Sequence, residues 1–201
     1  MNRTEKGRIS WIKSVIFSFL LLFFIIGYSY IHFKFITNGS FVLNQNVPNR
    51  IQMAIDSYVN RSQNVAAIQV VKVDLQKNVR YIIYTSLKDP VAKKLYVKFI
   101  SDNITIEVPV FTKNTTHNSR MLSVINHEFL CYPFVDTVSY EMVPEMGKYA
   151  TTVCSTTVPV ESGKFSGFVA VFLSKEPTET EKDFIRIESI SIAQLAYEVM
   201  K

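Results

Sequence analysis

The sequence predicts an α+β chain: one N-terminal transmembrane helix, then an antiparallel sheet domain with helices packed on it. Three observations carry this. Ser14 to Phe33, SVIFSFLLLFFIIGYSYIHF, is one uncharged stretch of twenty residues, which at about 1.5 Å rise per residue crosses the roughly 30 Å hydrocarbon core of a bilayer. Beyond it lie three pairs of β-branched and aromatic runs, each pair joined by a short polar turn. Around those pairs apolar residues recur at helical spacing.

A cleaved signal peptide has an apolar region of only about 7 to 15 residues ending at a small-x-small site. This stretch is longer, and its exit, Gly27-Tyr28-Ser29-Tyr30-Ile31-His32-Phe33-Lys34, is bulky, so it reads as a retained anchor. Arg3, Lys6, Arg8 and Lys13 precede it against one Glu5, whereas after Lys34 the next basic residue is Arg50. Basic residues stay cytoplasmic, so the N terminus is expected in the cytoplasm and the rest of the chain outside. Trp11 and Lys13 on one side, and Tyr28, Tyr30, His32 and Lys34 on the other, suit the two interfaces. Ser14 and Ser18 lie one turn apart and offer a small, hydroxyl-bearing contact face to a neighbouring span. A plain anchor is the competing reading, because Phe17 to Ile26 is Leu, Ile or Phe apart from Ser18.

The expected organisation is a tail over 1–13, the span over 14–33, a tether over 34–47 and one domain over 48–201. The net charge of +5 sits mostly at the membrane end: residues 1–34 balance to +4 and residues 35–201 to +1. The domain has no basic stripe with interleaved aromatics, so a nucleic-acid partner is not expected.

Within the domain, Pro48 opens a helix with Ile51, Ala54, Ile55, Tyr58 and Val59 on one face, ending near Asn64. Val65 to Asp74 and Val79 to Ser86 flank Leu75-Gln76-Lys77-Asn78 and form a hairpin. Lys94 to Ile100 and Ile104 to Phe111 flank Ser101-Asp102-Asn103, and the alternation Leu95, Val97, Phe99 predicts a second hairpin. Thr112 to Ser119 reads as a polar loop, and Met121, Leu122, Ile125, Phe129 and Leu130 as a helix closing before Pro133. Phe134 to Lys148 has no clear pattern. Tyr149 to Val158 and Phe165 to Ser174 form a third strand pair around Glu161-Ser162-Gly163-Lys164. Thr178-Glu179-Thr180-Glu181 is a capping box with acidic residues at a helix N terminus, opening a long final helix through Phe184, Ile187 and Leu195. Domains of the PAS and GAF type share this order of elements, an analogy of architecture that carries no function by itself.

Cys131 and Cys154 fall in the part expected outside the cytoplasm, where disulfides persist. A bridge between them and two separately buried thiols both fit. A bridge would close a loop of about 22 residues, worth roughly 3 kcal/mol in the loop-entropy picture.

Catalysis finds no support. His127 and Cys131 are four apart on an expected helix, but a zinc site needs further ligands, and the other histidines, His32 and His117, lie at the membrane face and in a polar loop. Gly163-Lys164-Phe165-Ser166-Gly167 misses the nucleophile-elbow spacing and has no adjacent histidine. No glycine-rich phosphate loop occurs. Glu141 with Glu145, and Glu176, Glu179 and Glu181, read as a solvated face and a helix start. No enzyme activity, metal or cofactor is expected. Asn-x-Ser/Thr triplets begin at Asn38, Asn60, Asn103 and Asn114, and such triplets also arise by chance.

Ala67-Ile68-Gln69-Val70-Val71-Lys72-Val73-Asp74, continuing through Tyr81-Ile82-Ile83-Tyr84-Thr85-Ser86, resembles the first strands of the head in the T-even-type phage holins. Arg186-Ile187-Glu188-Ser189-Ile190-Ser191-Ile192-Ala193-Gln194-Leu195-Ala196 is similar to that family's C-terminal helix, and Val153-Cys154-Ser155 to its strand cysteine. The layout of basic tail, single span and periplasmic head also corresponds. The resemblance implies a non-enzymatic protein that oligomerises in the host inner membrane and permeabilises it at a set time, releasing endolysin. It further implies a periplasmic head that binds an antiholin. One departure stands out: where the family's final helix can carry a second cysteine, this chain has Ser191 or its neighbour, so any disulfide here uses Cys131. The competing expectations are a membrane-anchored extracytoplasmic PAS- or GAF-like sensory or binding module, and an envelope assembly factor. The thirteen residues expected on the cytoplasmic side leave such a sensor dependent on a partner for output.

Overall fold

A computed structural model of the chain describes residues 40–42, 48–102, 108–161 and 163–200. The chain divides between Asn38 and Gly39 into two units, and all described residues lie in the second. The span over 14–33 lies outside the described residues, as do its contact face at Ser14 and Ser18 and its anchors Trp11, Lys13, Tyr28, Tyr30 and Lys34. Among the described residues no helix is long and apolar enough to cross a membrane.

The strands are β1 (Ser40–Val42), β2 (Val65–Asp74), β3 (Val79–Leu87), β4 (Val108–Pro109), β5 (Leu130–Pro133), β6 (Thr152–Val158) and β7 (Gly167–Leu173). They form one sheet in the order β1-β3-β2-β7-β6-β5, with β4 also pairing along β3, and every pairing is antiparallel. The two predicted outer hairpins, β2–β3 and β6–β7, are present, and β2 and β7 join them at the centre. Gly167 is required there, because a Cβ at that position would lie 2.0 Å from the Val71 carbonyl oxygen.

All residues of β6 and β7 are buried, which requires cover on both faces of the sheet. Val169, Val171 and Leu173 point to one face, where α1 (Asn49–Arg61) contributes Ile51, Ile55, Tyr58 and Val59. The final helix, α5 (Glu179–Met200), adds Ile185, Ile192, Ala193 and Ala196 to the same core. Full burial of each such aliphatic side chain contributes about 1.5 to 3 kcal/mol. The exposed Arg61–Glu188 ion pair joining the two helices contributes little beside this. The capping box forms as the sequence predicts: the Thr178 N–H donates to Glu181 Oε2 at 2.8 Å, and the Glu181 N–H donates to Thr178 Oγ1 at 3.3 Å.

Phe168, Ala170 and Phe172 face the other way, into a second core. It is covered by α2 (Pro90–Asp102), α3 (Thr115–Ile125) and the short α4 (Val138–Met142), the last flanked by 3-10 turns at Phe134–Asp136 and Pro144–Lys148.

Several sequence expectations are corrected. The stretch expected to be a tether adds the edge strand β1, paired with β3 at Ser40↔Ser86 through Val42↔Tyr84. The second hairpin does not form. Lys94 to Ile100 lies in α2, where Asp89 Oδ1 accepts from the Val91 and Ala92 N–H groups at 2.8 and 2.9 Å, and Pro90 supplies the first helical residue. Among the described side chains of α2 the buried positions are Ala92 and Tyr96, one helical turn apart, so the helical period prevails over the alternation at 95 and 97. Helix α3 starts earlier than expected, because Asn114 caps it by accepting from the His117 N–H at 3.0 Å. It also stops at Ile125, where His127 takes φ 65° and turns the chain into β5. His127 and Cys131 therefore do not share a helix.

Candidate functional site

On the sheet face that bears Phe168 and Phe172 a partly open cavity of about 70 Å³ lies between the sheet and α2, α3, α4 and the 3-10 turns. Its floor depends on a β-bulge. Val71 pairs with Ile82 and Val70 with Tyr84, leaving Ile83 as the extra residue. Simple alternation would put Arg80, Ile82 and Tyr84 on one face. The bulge shifts the phase, so Arg80 and Ile82 share the cavity face with Thr85 and Leu87 while Tyr84 turns to the α1 side.

Arg80 is buried, with 8% of its surface exposed, and lines the cavity. Among the described residues it has no hydrogen bond and no ion pair. Burial pulls it down to about 10, against a smaller opposing pull from Tyr132 and Glu141. Glu141 is engaged elsewhere, accepting from Asn114 Nδ2 at 3.1 Å. Arg120, the neighbouring cation, is ion-paired by contrast: its Nη2 lies 2.6 Å from Asp136 Oδ2 and its guanidinium sits 4.9 Å from the Tyr132 ring centroid, while its buried Nη1 has no hydrogen-bond partner among the described residues.

The remaining polar groups at the wall satisfy one another. Gln69 Nε2 donates to Tyr96 Oη at 3.2 Å, and Tyr96 Oη lies 3.0 Å from Thr85 Oγ1; burial pushes the Tyr96 phenol up to about 12. Tyr132 Oη and Ser155 Oγ are 3.1 Å apart, and burial raises the Tyr132 phenol as well. The His117 Nε2–H donates to the Val110 carbonyl at 3.0 Å, which leaves Nδ1 as the titrating nitrogen. Burial, then the charge of Arg80, lowers its affinity for a proton. Val110 is itself held by Asn78, which occupies the left-handed region at φ 54°, accepts the Val110 N–H on its carbonyl, and exchanges side-chain hydrogen bonds with the Phe111 backbone.

Cys131 and Cys154 lie directly opposite each other on β5 and β6 and are joined by a disulfide. The intervening chain, of sequence separation 23, contains Phe134, Thr137, Met142 and Met146 of the cavity wall. The bridge thus ties the ends of the segment that closes the cavity. Glu176, Glu179 and Glu181 lie away from it at the start of α5, and Ser166 enters β7. Among the described residues no group of three or more histidine, cysteine, aspartate or glutamate side chains is placed to hold a metal.

Neither Arg80 nor His117 stood out in the sequence. Arg80 carried one signal, a cation amid the apolar run Val79-Arg80-Tyr81-Ile82-Ile83. His117 carried none, because its burial depends on α3 and Val110 meeting in space.

No family model and no curated protein matches the chain. Among solved structures it is similar to the GAF domain of a two-component sensor histidine kinase from Bacillus halodurans, with TM-score 0.50 and 8% identity over 75% of this chain and 94% of that one. It is also similar to GAF3 from Slr1393 of Synechocystis sp. PCC6803 in its photoproduct state, with TM-score 0.49 and 12% identity over 75% of this chain and 93% of that one. The antiparallel sheet with helices on both faces is a GAF-like fold.

Proposed function

We propose that the domain is a membrane-anchored, extracytoplasmic binding module of GAF-like architecture that takes a small molecule in the cavity beside Arg80. The observation that carries this reading is the Arg80 side chain, 8% exposed and without a hydrogen bond or ion pair among the described residues, in the lining of the cavity. Buried polar groups are otherwise almost always satisfied, and a convergent polar group in an apolar pocket is the common mark of a ligand site. The likeness to a sensor-kinase GAF domain supports the architecture, and function is argued from the site. The membrane anchor rests on the uncharged stretch over 14–33 and on the basic tail. The test is a thermal-shift screen of the full-length chain in detergent against a panel of small metabolites. A saturable stabilisation lost in Ala170→Phe, which fills the cavity from β7, is the expected result. Silence across the panel would refute a binding module.

The second reading is the phage holin, with self-association in the host inner membrane and the head as the docking site of an antiholin. The holin-like segments over 67–86 and 186–196 and the Ser14 and Ser18 face support it. It is tested by expressing the chain alone in a bacterium. A holin collapses the membrane potential abruptly, and Ser18→Leu delays that collapse without changing insertion; a binding module leaves the potential intact.

A further inference from the structure

The wall of the cavity is apolar nearly throughout, from Val71, Ile82 and Phe168 on the sheet to Met142 and Met146 above it. Gln69, Thr85, Tyr96, His117 and Tyr132 also line it and are hydrogen-bonded, whereas Arg80 is a charged lining residue with no hydrogen bond among the described residues. Its five N–H donors form a rigid planar fork that matches a carboxylate bidentately, and among the described residues no acceptor meets them. The neighbouring Arg120 is neutralised by Asp136, and Glu141, bound to Asn114, does not form an ion pair with Arg80. One positive charge is therefore left without a salt-bridge partner among the described residues, in the field of Tyr132 and Glu141.

Size and charge narrow the occupant. A water needs roughly 10 to 15 Å³ of such space, so 70 Å³ admits about five to seven water-sized groups, a small molecule of about five to seven heavy atoms. A single cation already under the field of Glu141 suits a monoanion better than a dianion. The apolar remainder of the wall suits an alkyl tail rather than further polar groups.

We propose that the cavity binds a short-chain monocarboxylate, its two oxygens on the Arg80 fork and its alkyl end among Val71, Ile82 and Phe168. This rests on the binding-module reading and names its ligand class.

The full-length chain in detergent is titrated at constant ionic strength with sodium propionate, with the neutral isostere propionamide and with sodium phosphate, following binding by calorimetry and by the thermal midpoint. Ligands this small reach at best about micromolar affinity. Propionate is expected to bind saturably, with propionamide and phosphate each at least tenfold weaker, and Arg80→Met is expected to weaken propionate at least tenfold while remaining folded. Three results would overturn the proposal: no saturable response to propionate, propionamide or phosphate binding as tightly as propionate, or propionate binding undiminished in Arg80→Met. If propionamide binds equally, or the substitution changes nothing, the ligand class falls and the cavity remains a binding site. Failure of the binding module itself appears separately, as silence across the wider metabolite panel.

Discussion

Replacing Arg80 by methionine separates ligand binding from folding, because the two are expected to move in opposite directions. Burial pulls the guanidinium down from its ordinary value to about 10, and at 1.36 kcal/mol per pKa unit the folded state bears a cost of about 3 kcal/mol for holding the charge. The folded-state value is the lowered one, so the unfolded chain binds the proton more tightly. The cost is accordingly present in full at neutral pH and is relieved only as the pH rises through about 10 toward the ordinary arginine value. Any water the cavity admits lowers this cost, so about 3 kcal/mol is an upper bound. Methionine keeps an apolar stem of similar reach and leaves no unmet donor. Without ligand, Arg80→Met should therefore be more stable than the parent by about 1 to 3 kcal/mol, a rise in midpoint of roughly 2 to 4 °C per kcal/mol for a domain of this size. Urea unfolding of the full-length chain in detergent, with the m-value unchanged, measures it. A loss of more than about 1 kcal/mol in the substituted protein would show that Arg80 supports the fold, and the cost argument would fail.

Removing the bridge by Cys131→Ser with Cys154→Ser should destabilise the domain by roughly 3 kcal/mol, from the loop it closes, and should raise proteolysis within 134–148 first; denatured, unreduced parent protein with two titratable thiols would contradict it. His117 is buried neutral and its proton affinity is lowered, so the unfolded chain takes up the proton first as pH falls. Stability should decline as pH drops below about 6.5, the ordinary histidine value. His117→Asn should flatten that decline between pH 7 and 5.5, and an unchanged unfolding profile would refute the assignment.

The strands over 65–74 and 79–87 and the final pair were legible because each carries its own β-branched pattern and polar turn. Helix α5 was legible because its capping box is complete within four residues. The failures share a cause. Over 94–100 the apolar residues fit both periods, and the choice was made by Asp89 capping the segment and by the sheet face waiting for Ala92 and Tyr96. Ser40–Val42 is too short to show a period of its own and becomes a strand because the outer edge of β3 offers it unpaired backbone groups.

The sequence by itself determined the uncharged span, the α+β class and the two hairpins that build the sheet, since these depend on local composition and period. It also placed both cysteines in the part expected to be extracytoplasmic. The site was decided only by the tertiary structure. A one-residue bulge at Ile83 sets which side of β3 faces the cavity, and the burial of Arg80 depends on β4, α3 and α4 arriving from distant parts of the chain. A buried charge leaves no periodic trace in a sequence, because what makes it unusual is the absence of a partner in space.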